Sequence, residues 1–337
     1  MSAVSPDGPI PIQAKAAKPT TTRMTPSDLV QTAAVARRYF LEDRPKLEIA
    51  EEFGLSRYKV ARMLARARQS GLVRISIDFP DDVDASVSHQ LAGAYGLRHV
   101  FVVNTVDRDD AVIDPLGRAG ARLLEEIVEP DETLGIAMGR TLGSLTAHLH
   151  KLARCSVVQL TGALSNGLVG ESSIELIRRV SASNGGTAFP IYAPLFVSSP
   201  DLAAELRSQT SVKEALEQHD RLTTAVVAVG SWSPPYSTVY DDIAESDRSE
   251  LERHGVVAEL CTIMIDSQGR IISSPMTDRL ISISATQLAA VPTVLAIAGG
   301  PSKRQAIAAA LASGIINALV TDINTAHYLL QQRPTSV

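Results

Sequence analysis

Apolar residues at Leu29, Ala33, Ala36 and Phe40 recur at helical spacing behind Thr25-Pro26-Ser27-Asp28, where Thr25 can cap and Pro26 can open a helix. The pattern predicts a helix to about residue 41, broken by Glu42-Asp43-Arg44-Pro45. A short second helix over 46–53 turns Leu47, Ile49, Ala50 and Phe53 inward and stops at Gly54. Ser56 caps a third helix, 57–69, with Val60, Met63, Leu64 and Ala67 on its apolar side. Ser70-Gly71 ends it, and the alternation over 72–77 predicts a strand. From 97 onward short apolar runs alternate with helical patterns. Strands are expected at 99–103, 133–137, 156–160, 191–193, 224–229, 261–265, 293–298 and 318–320. Helices are expected at 115–127, 143–152, 174–183 and 302–311. This alternation predicts an α/β fold with a mostly parallel sheet covered on both faces.

The order of elements divides the chain. Residues 1–24, rich in Pro, Ala, Thr and Lys without a hydrophobic period, read as a disordered arm. Residues 25–77 form a helical head, 78–96 a linker with a connecting helix, and 97–332 the large α/β domain. Charge follows the same division. Residues 1–74 carry 13 basic and 7 acidic side chains, a balance of +6, whereas the remainder holds 19 against 30, or −11. A basic head on an acidic body suits a nucleic-acid contact at one end. No apolar run approaches the roughly 20 residues that span a bilayer, and the first residues do not read as a secretion signal. A cytoplasmic protein is expected. Cys155 and Cys261 are too few for a disulfide scaffold and read as buried thiols. The seven histidines lack zinc-ligand spacing, so no metal is expected.

Helix, glycine-containing turn and helix, followed by a strand, is the winged helix-turn-helix arrangement. The third helix carries Arg57, Lys59, Arg62, Arg66 and Arg68, with no acidic residue from 57 to 71. Its start, Ser56, Arg57, Tyr58 and Lys59, is the end that reaches base edges when such a helix enters a major groove. Ser56, Arg57, Tyr58, Lys59, Arg62 and Arg66 are therefore the candidate contacts to a double-stranded DNA operator. A solvated basic face is the alternative, although such faces usually mix signs, as helix two does with Lys46, Glu48, Glu51 and Glu52.

Three expected strand ends carry glycine-rich turns: 134–143, with Gly139, Arg140 and Thr141; 157–164, with Thr161 and Gly162; and 298–303, with Gly299, Gly300 and Lys303. Backbone amides at such turns and the helix start behind them attract anions. None matches a dinucleotide or P-loop spacing, and each glycine can equally serve turn geometry. Trp232 either closes over a ligand or packs. Asp241 and Asp242 either act in acid–base chemistry or face water, and Asp322 can cap the turn after its strand.

These residues carry a family resemblance. Gly139-Arg140-Thr141-Leu142, the run from Val157 to Gly162, Ala298-Gly299-Gly300 with Lys303, and Ala309-Ala310-Leu311 with Asn317, Val320-Thr321-Asp322 and Thr325-Ala326 occur in an order that resembles the SorC/DeoR-type bacterial transcriptional regulators. The resemblance spans about 25–330. It implies a Rossmann-like effector domain similar to sugar-phosphate isomerases and glucosamine-6-phosphate deaminase. It also implies a regulator that answers to a sugar, polyol or sugar phosphate and assembles as a homo-oligomer, often a tetramer. By resemblance, Gly139, Arg140, Thr141 and Leu142 form the phosphate loop, and Lys303 is the phosphate-contacting lysine. Glu259, placed before the 261–265 strand, accepts from sugar hydroxyls. Some members capture an aldehyde through a lysine in the loop that here reads Leu160-Thr161-Gly162; Thr161 cannot form a Schiff base. Arg140 either clamps the anion or fills its space. The implied activity is regulation of carbohydrate or polyol metabolism, without catalysis or cofactor. The competing function is an isomerase or deaminase with an accessory head, for which no acid–base pair can be placed and in which the basic third helix has no role.

Overall fold

The structure, a computed structural model, describes residues 25–73, 83–164, 173–237 and 239–332. The chain divides into two compact units, Met1–Ile77 and Asp78–Val337.

The first unit contains α1 (Pro26–Phe40), α2 (Lys46–Glu52) and α3 (Arg57–Gln69). Thr25 and Asp28 form a reciprocal capping box at the start of α1, with Pro26 in its first turn. Ser56 Oγ accepts from Lys59 N at 3.2 Å and caps α3. Between α2 and α3, Gly54 takes a left-handed conformation and Leu55 N–H returns to Ala50 O at 2.8 Å. Val35, Ala36, Ile49, Ala50, Val60, Leu64 and Ala67 form the core. Three expected inward positions differ. Leu29 and Ala33 lie on the exposed side of α1, and Leu47 is 60% exposed on α2. On α1 it is Val35, beside Ala36, that enters the core, and on α2 the expected Ile49 and Ala50 do so without Leu47; the larger Val35 buries more apolar surface than Ala33 could. Of the expected strand over 72–77, residues 74–77 lie outside the described residues, and Val73 N–H folds back onto Ala67 O. The arm over 1–24 also lies outside them.

The second unit opens with α4 (Ala85–Tyr95), capped by Asp84, whose Oδ1 accepts from Val87 N at 2.9 Å. This helix, expected as a connector, packs within the unit: Leu91 is fully buried and Tyr95 Oη donates to Leu329 O at 2.9 Å. There follow β1 (His99–Val103), α5 (Ile113–Ile127), β2 (Thr133–Ile136), α6 (Arg140–His148), β3 (Ser156–Gln159), α7 (Ser173–Asn184) and β4 (Ala188–Phe189). Next come α8 (Pro200–Ser208), α9 (Thr210–Glu217), β5 (Thr224–Val227), β6 (Gly230–Ser231), α10 (Glu245–Arg253), β7 (Val256–Leu260), β8 (Ile263–Asp266) and β9 (Ile271–Ile272). The chain closes with α11 (Ala285–Ala290), β10 (Thr293–Ile297), α12 (Arg304–Ala312), β11 (Ala318–Asp322) and α13 (Ile323–Gln332). Seven strands form one parallel sheet in the order β1-β11-β10-β5-β2-β3-β4. Its central strands are buried on both faces, as the apolar runs require.

A second sheet, β6-β7-β8-β9, is antiparallel. It corrects the single strand expected at 261–265. Leu260 pairs with Ile263, so Cys261 and Thr262 are the two central residues of a hairpin turn, both at positive φ (50° and 70°). Such turns normally use Asn-Gly or Asp-Gly, and Cys-Thr gives no sign of one. The strand expected at 191–193 is also absent. After Phe189, Pro190 offers no N–H to the ladder, and buried chain there makes only an isolated bridge between Ala163 and Pro194.

Candidate effector cleft

Where the parallel strands end, the loops after β1, β2, β3, β5 and β10 surround a cleft of about 820 Å³ including its mouth. Ligands of open parallel sheets sit in this position. Gly139, at φ 153°, turns the chain from β2 into α6; a Cβ there would come within 2.8 Å of Ala228 Cβ. The α6 start carries no side-chain cap, so its dipole faces the cleft uncompensated by a carboxylate. Arg140 is exposed at the rim and Thr141 is buried beside it.

On the opposite side, Lys303 Nζ donates to Val229 O at 2.7 Å. Burial, and then the Arg140 guanidinium, lower its ammonium to about 8. Lys303 belongs to a short 3-10 turn, Pro301–Lys303, that precedes α12, one turn earlier than a place inside the helix. Glu259 lies within β7, not before a strand, and is 6% exposed. Its Oε2 accepts from Thr262 N at 3.3 Å across the hairpin turn. Gly230, its register partner on β6, leaves it room: a Cβ there would stand 2.3 Å from Glu259 Oε1.

A buried polar cluster sets the loop after β3. Gln159 Nε2 donates to Thr161 O and Ser173 Oγ, and its Oε1 accepts from Ile191 N. His219 Nε2 donates to Gln159 O at 2.9 Å, which fixes the tautomer as Nε2–H. Burial keeps this ring neutral, with its pKa below the usual histidine value. Thr161 itself is 3% exposed, lines the cleft, and its Oγ1 has no hydrogen-bond partner.

Of the expected effector residues, Gly139, Arg140, Thr141, Thr161, Glu259, Gly299 and Lys303 line the cleft together. Leu142, Gly162 and Gly300 stand behind it. Leu142 is fully buried in the main core, and Gly162 N–H is spent on Ile281 O. Gly300 N–H goes to Asp322 Oδ2, which also accepts from Thr325 Oγ1, while Oδ1 accepts from Thr325 N; Asp322 caps α13 and holds the β10 turn. The cleft also takes in Asp109, Tyr236 and Val239, from loops without a periodic signal, and Thr262 of the β7–β8 hairpin turn. Trp232 packs in a satellite core against Tyr240, edge to face at 5.2 Å. Asp241 and Asp242 are not among the cleft residues. Cys155 and Cys261 are buried free thiols; burial pushes the Cys155 thiol up to about 11 and the Cys261 thiol higher still. Among the described residues no cluster of His, Cys, Asp and Glu could hold a metal, and no helix is long and apolar enough to cross a membrane.

In the first unit, Ser56, Arg57, Tyr58, Lys59 and Arg62 are exposed at the start and outer side of α3, Tyr58 at 85%, and Arg66 is half-buried. Arg68 instead lies 5.2 Å over the Phe40 ring, a packing role.

Comparison with known proteins agrees with this architecture. The family model described as "Putative sugar-binding domain" matches residues 82–331. The transcriptional regulator LsrR of Escherichia coli K12 is 29% identical over 309 residues, covering 89% of this chain and 94% of LsrR. The full-length sorbitol operon regulator SorC from Klebsiella pneumoniae shares the fold at a TM-score of 0.67 and 24% identity, over 90% of this chain and 99% of SorC. A domain of a possible sugar-binding transcriptional regulator from Arthrobacter aurescens TC1 matches with a TM-score of 0.65 and 25% identity, over 75% of this chain and all of that domain. With the family model covering almost all of the second unit, the chain belongs to the sugar-binding-domain family of SorC/DeoR-type transcriptional regulators.

Proposed function

We propose that the chain regulates genes of carbohydrate or polyol metabolism by gripping a double-stranded DNA operator with α3 and answering to a sugar, polyol or sugar phosphate in the cleft. One observation carries this pairing: the exposed basic start of α3 belongs to a unit with its own core, distinct from the unit that holds the cleft. Ser56, Arg57, Tyr58, Lys59, Arg62 and Arg66 are the assigned DNA contacts, the first four at the end that meets base edges.

In the cleft, Arg140 and Lys303 face an anion at the open start of α6, with Thr141 and the unpartnered Thr161 hydroxyl as further donors. Glu259 accepts from ligand hydroxyls. Two carboxylates and two cations in the lining suit a phosphorylated polyhydroxy compound better than a neutral apolar one. The cleft binds without turnover, and the protein works in the cytoplasm as a homo-oligomer without metal or cofactor. DNA selected from a random pool by the full chain provides the test. Its release or retention is followed by fluorescence anisotropy as sugars, polyols and their phosphates are added, with a turnover assay on each binder. Failure to select any DNA, or conversion of the ligand to product, would sink this function.

A further inference from the structure

Two turns at the cleft lead towards helices, one from β2 into α6 and one after β10 through the 3-10 turn before α12, and only the first is open. At the turn after β10, Gly300 N–H donates to Asp322 Oδ2 at 2.8 Å, position 301 is proline, and Lys303 N–H donates to Gly300 O at 3.1 Å. The remaining amide, Ser302 N–H, donates to Asp109 Oδ1 at 3.1 Å, while Ser302 Oγ donates to Asp109 Oδ2 at 2.8 Å. Every backbone donor from 300 to 303 is therefore already used. The carboxylate is packed hard into the turn, since a Cβ on Gly300 would stand 2.5 Å from Asp109 Oδ1. Arg304 pairs with Asp107, which ties the same loop to the start of α12 a second time. The start of α6, by contrast, has no side-chain cap, and the buried Thr161 Oγ1 beside it in the cleft lacks a partner.

We propose that Asp109 determines specificity, limiting the effector to a single anionic group seated at α6 between Arg140 and Lys303. The proposal rests on the cleft being a sugar-phosphate site, and it names which phosphates are admitted. Asp109 lines the cleft and occupies the anion seat at the β10 turn as an internal carboxylate. A second phosphate directed there meets a like charge where it needs donors, which is rejection by repulsion. Of the four charged side chains that line the cleft, the two cations, Arg140 and Lys303, serve the first phosphate at α6, which leaves the carboxylates of Asp109 and Glu259 to meet a second.

Calorimetric titration of the full chain tests this with inorganic phosphate and with two matched pairs: glucose 6-phosphate against glucose 1,6-bisphosphate, and ribulose 5-phosphate against ribulose 1,5-bisphosphate. The expected result is that inorganic phosphate and at least one monophosphate bind, and that the matching bisphosphate binds at least about tenfold more weakly. Asp109→Asn, which keeps the shape and removes the charge, should narrow that ratio by about tenfold through a gain for the bisphosphate. Asp109→Ser gives the same reading if the Asn variant does not fold, with thermal melting as the check on both. A bisphosphate that binds the wild-type chain as tightly as its monophosphate, or a ratio unchanged in a folded variant, overturns the proposal while leaving the sugar-phosphate site standing. No binding of inorganic phosphate or of any monophosphate removes the sugar-phosphate site itself, and the proposal with it.

Discussion

Lys303 is half-buried beside Arg140, and its ammonium gives up its proton at about 8, well below the ordinary lysine value. A bound phosphate favours the charged form. Affinity for a sugar phosphate should therefore lose its lysine contribution as pH rises through about 8, and be insensitive to this group below it. Titrations from pH 7 to 9.5 check this, and Lys303→Arg, which stays charged, should flatten the profile. Lys303→Ala should weaken a sugar phosphate by about 2–5 kcal/mol and its unphosphorylated parent far less. An equal loss for both would make the residue structural. His219 acts in the opposite part of the pH scale. Its folded pKa is lowered by burial, so the unfolded chain takes up the proton first. Its contribution to stability is complete above about pH 6.5 and declines as pH falls below that value. Melting temperatures between pH 7.5 and 5 should fall for the wild type and fall less steeply for His219→Gln. His219 holds Gln159, which holds the Thr161 loop, so acid should loosen the cleft as well.

At the scale of elements, α3 offers a sharp test. Replacing Arg57 and Arg62 with Ala should abolish sequence-specific DNA binding while leaving ligand binding and melting unchanged, because both side chains are exposed. Base-reading contacts are worth about 1–3 kcal/mol each. Undiminished affinity in a DNA-binding titration would move the interface off α3. The elements also differ in how readable they were. The strands β1, β2, β3, β5, β10 and β11 stand out in the sequence because strands buried on both faces are continuous apolar runs. The β7–β8 hairpin does not, because Cys261 and Thr262 adopt positive φ without the residues that announce it. The site divides in the same way. Gly139, Arg140, Thr141, Thr161, Gly299 and Lys303 were legible because glycine turns at strand ends mark themselves. Asp109, Tyr236 and Val239 were not, since only strand order brings their loops to the cleft. Glu259 was found by resemblance but misplaced relative to its strand, and Gln159 and His219 carry no local signal at all.

For the whole molecule, control requires that ligand in the second unit change the affinity of the first for DNA. Couplings of this kind are worth about 1–3 kcal/mol, or about 5- to 150-fold in operator affinity. Inserting a flexible Gly-Ser segment after Pro80, which lies outside the described residues, should preserve ligand affinity and erase its effect on DNA. Paired calorimetry and anisotropy on the insertion variant would decide; a full response would route coupling through direct contact or a change of assembly. The insertion belongs there because α4 is not available as a spacer. Its Leu91 is core, and its Tyr95 is fastened to Leu329 in α13. That fastening has a practical side. The first helix of the second unit, α4, rests on α13, so a change that disturbs α13 reaches α4 as well. Trimming the chain back into α13 would therefore unseat α4, and a label is best kept off both helices. A label on an exposed site elsewhere in the second unit, such as Arg118 on α5, leaves the α4–α13 contact untouched.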